Sequence, residues 1–381
     1  METAIKKSDF VLNPYMKSND LWATYQVLNT VVPYLLLWVL AIQVFPISGW
    51  LLIPIVILMA LFSVRCFSLM HDCGHYSLFS SKKVNRCVGF VLGIINAIPP
   101  YAWSRDHAYH HKTNGDWERY RGVADFISTE EFSQLSSADR QFYELLRHPL
   151  MAIPGGFFYL AIQPRLTLVL GIYGFFSHVA TGFGRTPRLG LAEIVSTHKS
   201  KHWQSTGEFW DLLLNNICVL SSWIILSHVL GAGFFLSMYS IVLTIAAVIF
   251  IYLFFVQHIF EGTYAHKNAD WDYLLGALEG SSYLKLPAIL NWFTADIGYH
   301  NIHHLSERIP NYHLAACHDR NRHLLSNVKT LRLGDMLDCA KFILWDAATD
   351  SLISIESFDR SVATAAIDVT SKLQPVPVSS K

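Results

Sequence analysis

Long apolar runs alternate with charged stretches along this chain, and the pattern is coarse enough to read by eye. No lysine or arginine lies between Lys17 and Arg65, or between Lys201 and Lys267. The first window holds "TVVPYLLLWVLAIQV" and "WLLIPIVILMALFSV", separated by "FPISG". The second holds "LLLNNICVLSSWIILSHVL" and "FFLSMYSIVLTIAAVIFIYLFFV", separated by "GAG". A helix that spans a bilayer needs about 20 largely apolar residues. Each run reaches or approaches that length, and the tips are too short and uncharged to be domains. The pattern predicts an all-α integral membrane protein built on two helical hairpins, at roughly 28–70 and 211–257.

Two further apolar stretches are ambiguous. "CVGFVLGIINAIPPYAW" (87–103) ends in a double proline and is short for a span. "FFYLAIQPRLTLVLGIYGFFSHVATGF" (157–183) is long but carries Pro164 and Arg165 in its middle. Either could lie at the interface, and the second could be a closely turned pair. The count is therefore about four spans, with six as the upper reading. The expected division is an N-terminal segment (1–27), a membrane domain (28–340) and a C-terminal segment (341–381). Its last twenty or so residues, ending "QPVPVSSK", are expected to be a disordered tail.

Composition and charge sharpen this picture. Of 381 residues, 52% are hydrophobic and 15% charged, with 29 basic against 29 acidic side chains, so no basic surface points to nucleic acid. The basic residues other than Arg65, near the end of the first hairpin, fall before, between or after the hairpins, which by the positive-inside tendency puts those stretches in the cytoplasm. Six cysteines with no CxxC pair argue against a disulfide scaffold or a thiolate zinc site. The opening residues lack the apolar core of a cleaved leader.

Histidine is where chemistry enters. Eighteen are present. "HDCGH" supplies His71 and His75 just after the second apolar run, "HAYHH" supplies His107, His110 and His111, and "HNIHH" supplies His300, His303 and His304. His258 closes the fourth run in "FFVQH". Pairs at i and i+4 share one helix face and can aim two imidazoles at one target. The extra His110 and His303 can reach a second target beside the first. Neutral imidazole binds iron, copper, zinc or nickel. Eight clustered rings plus His258 are too many for one ion and suit two, each held by four or five nitrogens. His148, His178, His198, His202, His228, His313, His318 and His323 default to ordinary surface or core roles. If the three clusters share one site, an even number of crossings separates them, so 87–103 does not cross and 157–183 crosses twice or not at all.

A metal pair held by neutral nitrogen keeps a high positive charge, unlike carboxylate-rich di-iron sites. Iron in that setting can reduce dioxygen to an oxidant for an unactivated C–H bond. Placed at a membrane surface, such a site suits a hydrophobic chain that reaches it through a narrow apolar tunnel.

The three boxes resemble those of the membrane-bound fatty acid desaturases, over roughly residues 30–320. "WSRDHAYHHKTNGDW" and "GYHNIHHLSERIPNYHL" frame the second and third boxes, and the latter is most similar to the omega-6/omega-3 acyl group. The resemblance implies two iron ions, dioxygen as co-substrate, and a cis double bond introduced into a lipid acyl chain. It also implies that His258, in the "QH" motif, is the ninth ligand, with His266 a weaker candidate. No His-Pro-Gly-Gly motif marks a fused cytochrome b5 domain, so the expected electron donor is a separate ferredoxin or cytochrome b5. Asp72, Asp106 and Asn301 are expected to orient ring N–H groups. Rival readings are a hydroxylase or ketolase acting on a carotenoid, sphingolipid or alkane, and a metal transporter or haem protein with its ligands inside the spans. A bacterial inner membrane is the expected home, with the endoplasmic reticulum as the alternative.

Overall fold

The computed structural model describes residues 5–119, 126–185 and 190–372. Its helices are labelled here only where they position the site. Both hairpins form. The first pairs α1 (Asp20–Val44) with α2 (Leu52–Gly74), and the second pairs α6 (Thr206–Leu230) with α7 (Ala232–His258). α1 and α6 begin ahead of their apolar runs, where capping residues lie. Asn19 accepts from the Trp22 N–H, and Ser205 accepts from the Glu208 N–H. Gly231 alone joins α6 to α7 at φ +84°, a left-handed conformation that glycine adopts without a Cβ clash.

Between the hairpins, α3 (Lys82–Ile95) and α4 (Pro100–Thr113) meet at an angle of 103°, so residues 87–103 bend sharply and form no single straight span. The break exposes carbonyls that water cannot reach, and side chains satisfy them. Arg165 donates to the Ala97 carbonyl at 2.6 Å, and Asn215 Nδ2 donates to the Ile98 carbonyl at 2.9 Å. This is what Arg165 does in the middle of an apolar stretch.

That stretch belongs to α5, a helical run over Pro149–Gly184. Among the described residues, five helices are long and apolar enough to cross a bilayer: α5 and the four of the hairpins, α2 being counted from Gly49. His148 before it and His202 after it line one cavity. The chain that follows packs back along the C-terminal half of α5, with Ile194 on Gly182 and Trp203 on Gly171.

α2 and α7 form the centre of the bundle; 61% of the apolar window of α2 is buried, against 17% for α1. Aliphatic side chains such as Leu36, Ile224 and Val229 stay exposed on the outer helices, as a lipid-facing surface requires. The chain is a multi-pass, all-α membrane protein, with two small sheets in its aqueous cap. Ile127–Ser128, Phe342–Asp346 and Ser351–Ser354 form one, and Tyr283–Lys285 pairs with Thr330–Arg332 in the other. Residues 355–372, part of which was expected to be tail, continue as a helix; 373–381 lie outside the described residues.

Candidate metal centre

Three helix ends bring the imidazoles together. His71 lies in the last turn of α2 and His75 is the residue that caps it. His107, His110 and His111 occupy the C-terminal end of α4, and His258 is the last residue of α7. The third cluster begins the short helix α8 (His300–Leu305).

The nine rings sort into two groups. His71, His75, His107, His111 and His303 form one; His110, His258, His300 and His304 form the other. Within each group the ring nitrogens lie within 4.8 Å of one another. The i, i+4 partners stay together in every box. His110 and His303, a quarter-turn or more off that line, point into the opposite group from their box mates. A single helical offset therefore ties two helices into both groups.

The spacing is that of ligands around an ion. Nε2–Nε2 separations are 2.8 Å for His71–His107, 3.0 Å for His111–His107 and 3.0 Å for His110–His258. His300–His258 is 2.9 Å and His304–His300 is 3.1 Å. Two nitrogens at about 2.1 Å from one ion, at right angles to each other, stand about 3.0 Å apart. In addition, His75 Nε2 and His303 Nε2 are buried with no hydrogen-bond partner. Buried polar atoms without partners are uncommon, and an ion within the five-membered group, to which both belong, accounts for them. The residues present fit a pair of metal ions.

Electrostatics agree. Burial, reinforced by the neighbouring imidazoles, holds His300, His303 and His304 well below the ordinary histidine range. All three rings are neutral at pH 7, with a lone pair free to bind a cation. No carboxylate belongs to either group.

The far nitrogens of three rings face partners, and sequence reasoning identified only part of that set. His71 Nδ1 lies 3.2 Å from Asp72 Oδ1, as expected. Asp72 Oδ2 accepts from both the backbone N–H and the side-chain amide of Asn311, at 2.8 and 2.9 Å, and Gln26 Nε2 donates to Asn311 Oδ1 at 2.8 Å. His258 Nδ1 faces the Gly280 carbonyl at 3.1 Å. His75 Nδ1 lies 3.2 Å from Glu307 Oε2, which keeps that carboxyl below its usual range.

Two expectations fail. Asp106 turns to solvent, its side chain 74% exposed beside Arg105. Asn301 is buried, but neither end of its amide has a partner, so it orients no ring. Their proximity in sequence misled: consecutive residues on a helix point about 100° apart. Glu307 and Asn311 act across the fold, and no local spacing would single them out. His266 belongs to neither group and stacks on Tyr264 at 4.2 Å. His148 and His202, assigned ordinary roles, line a cavity.

That cavity, about 590 Å³, reaches both groups, touching His107 of one and His110 and His258 of the other. Its inner wall is largely aromatic, with Phe67, Trp103, Tyr159, Phe250 and Phe254. Trp103 stacks on His107 at 4.7 Å, so the same ring that lines the cavity fixes an imidazole. The arrangement can hold an apolar chain against a pair of metal ions while excluding water.

Residues 48–332 match the family model described as "Fatty acid desaturase". A fatty acid desaturase of Bacillus subtilis is 30% identical over 335 residues, covering 87% of this chain and 85% of that protein. An endoplasmic-reticulum omega-3 fatty acid desaturase of Vigna radiata is 28% identical, over 65% of this chain and 58% of its own length. An Arabidopsis thaliana acyl-lipid omega-3 desaturase (cytochrome b5) is 25% identical, over 68% and 60%. The chloroplastic sn-2 acyl-lipid omega-3 desaturase (ferredoxin) of Helianthus annuus is 26% identical, over 65% and 49%. With its histidine boxes gathered at the end of an apolar cavity and three-quarters of its length matched, the chain belongs to the fatty acid desaturase family and is an oxidoreductase of lipid metabolism.

Proposed function

We propose that this protein is an acyl desaturase that uses dioxygen and two iron ions to introduce a cis double bond into a lipid acyl chain. One observation carries the reading: an aromatic-lined cavity touches imidazoles of both histidine groups. His71, His75, His107, His111 and His303 would hold one ion, and His110, His258, His300 and His304 the other. Bound iron supplies the dioxygen chemistry that side chains lack.

The protein's own residues do the positioning. Phe67, Phe254 and Trp103 exclude water and press one segment of the acyl chain against the nitrogens. Holding the chain in place replaces a search in solution with a fixed geometry. Asp72, Glu307 and the Gly280 carbonyl keep three rings in orientation through their Nδ1 atoms. Two hydrogens leave the chain, dioxygen becomes two waters, and two electrons and two protons are drawn from outside. A separate donor supplies the electrons, a ferredoxin or cytochrome b5, the two kinds printed in the names of the plant relatives. The Bacillus relative favours a bacterial cell membrane as the home.

The test is expression in a host that lacks polyunsaturated lipids but has a competent donor, followed by fatty-acid methyl-ester analysis. New dienes with the wild type and none with His303→Ala are the expected result. A hydroxylated chain in place of an alkene would reassign the protein to the hydroxylases, and unchanged lipids would overturn the reading.

A further inference from the structure

One amphipathic helix of the cap, Ser137–Arg147, leaves its apolar side without a partner among the described residues. Its covered positions are Arg140, Tyr143 and Arg147, at i, i+3 and i+7. They face the cap: Tyr143 Oη donates to the Ile343 carbonyl at 2.5 Å, and its ring packs on Phe132. Phe142 and Leu145 fall on the roughly opposite side, with Leu146 on the flank, and the three are 60%, 56% and 48% exposed. Farther along the chain Leu150 and Ile153 are exposed at the start of α5, whose outer surface is that of a membrane helix. Continuity with a lipid-facing surface identifies the occupant as the bilayer leaflet. A helix with one apolar face and charges on the other lies in the interface plane.

The mouth of the cavity follows the same line. Leu146 and His148 line the cavity and are themselves exposed, as are Gly155 and Gln163 farther along α5. Because Gly155 and Gln163 belong to a helix of membrane-spanning composition, the opening is a slit facing sideways into lipid. Its other end, at the cap, is polar, with Arg105 paired to Asp106 and Glu208, and with His148 and His202. An opening that is apolar along its depth and polar at its rim matches an amphiphile already standing in the leaflet.

The geometry points to Ser137–Arg147 as an interfacial helix that rests on the leaflet and frames a lateral portal, through which the acyl chain of a membrane glycerophospholipid enters the cavity. The proposal deepens the desaturase reading by naming the carrier, and it rests on that reading only for what happens to the chain once inside.

Its test needs no turnover, so its failure is distinguishable from failure of the desaturase assignment. Single cysteines at Phe142, Leu145 and Glu144, in a Cys87→Ser, Cys218→Ser background, are spin-labelled in lipid nanodiscs. Labels at 142 and 145 are expected to relax more with oxygen than with a water-soluble nickel chelate, and the Glu144 label the reverse. Equal chelate access at all three sites would overturn the interfacial placement. In a second arm, a phosphatidylcholine with a diazirine at mid-chain is photolysed, and peptides of Phe250–Phe255 are read by mass spectrometry. A Cβ at Gly155 meets nothing within 4 Å, so Gly155→Phe fits the fold and obstructs the slit. The expected result is strong lipid labelling in the wild type, most of it lost in Gly155→Phe with an unchanged thermal transition. Unchanged labelling in that variant, or labelling by an acyl-coenzyme A analogue in preference to the lipid, would overturn the portal.

Discussion

Asn311 offers a sharp test of how the site is held. It touches no ring nitrogen of the two groups, yet its side chain links Gln26 on α1 to Asp72, which in turn faces His71. Asn311→Ala removes the amide donor at 2.9 Å and leaves the backbone donor at 2.8 Å in place. All four residues are buried, so no water substitutes readily. A hydrogen bond to a charged group is worth about 1.5–3 kcal/mol. Loss of an outer partner of a metal-binding histidine weakens metal affinity about 10–100-fold, which is about 1.4–2.7 kcal/mol. The two estimates coincide, as they should if the bond's whole effect passes through His71. His71 belongs to the five-membered group only. Titration of the purified protein with ferrous iron against a competing chelator should therefore show one ion weakened by that factor and the other unchanged. Wild-type affinity at both sites would refute the relay, and equal loss at both would show that the variant merely loosens the cap.

Other expectations follow from the same geometry. His258→Ala should remove the ion of the four-membered group and leave close to half the iron, whereas His266→Ala should retain both; metal analysis after desalting distinguishes them, and equal behaviour of the two variants would contradict the grouping. Gly276→Ala would drive a Cβ into the Asn114 carbonyl, next to the strand of chain that follows α4; overpacking of this kind costs about 1–3 kcal/mol, seen as a lower thermal transition in detergent. The pH dependence of the metal-free protein has a definite sign. His300, His303 and His304 have folded-state pKa values held below that of the unfolded chain by burial. Their contribution is present above about pH 6.5 and is lost as pH falls, because the unfolded chain takes up protons first, at about 1.4 kcal/mol per pH unit per ring. The thermal transition of stripped protein should drop between pH 7.5 and 5.5, and a rise would refute it.

Much of this protein was legible before folding. Apolar run length fixes the two hairpins because a bilayer imposes one length on every span, and that constraint is local. The histidine boxes were legible for a similar reason: an i, i+4 pair declares a shared direction within one turn. Even the division of labour inside a box, with His110 and His303 set apart, follows from helical geometry. What the chain order conceals is everything that acts between elements. Asp106 and Asn301 neighbour histidines but serve none, while Asn311 and Glu307 reach the first box from beyond the third. The path of α5 was undecided because composition measures length and not direction. Only tertiary structure shows Ile194 and Trp203 packing back along it, and Arg165 closing the break before α4. Tertiary structure alone decides such matters, because a hydrogen bond across 239 residues, like that from Asn311 to Asp72, leaves no periodicity to read.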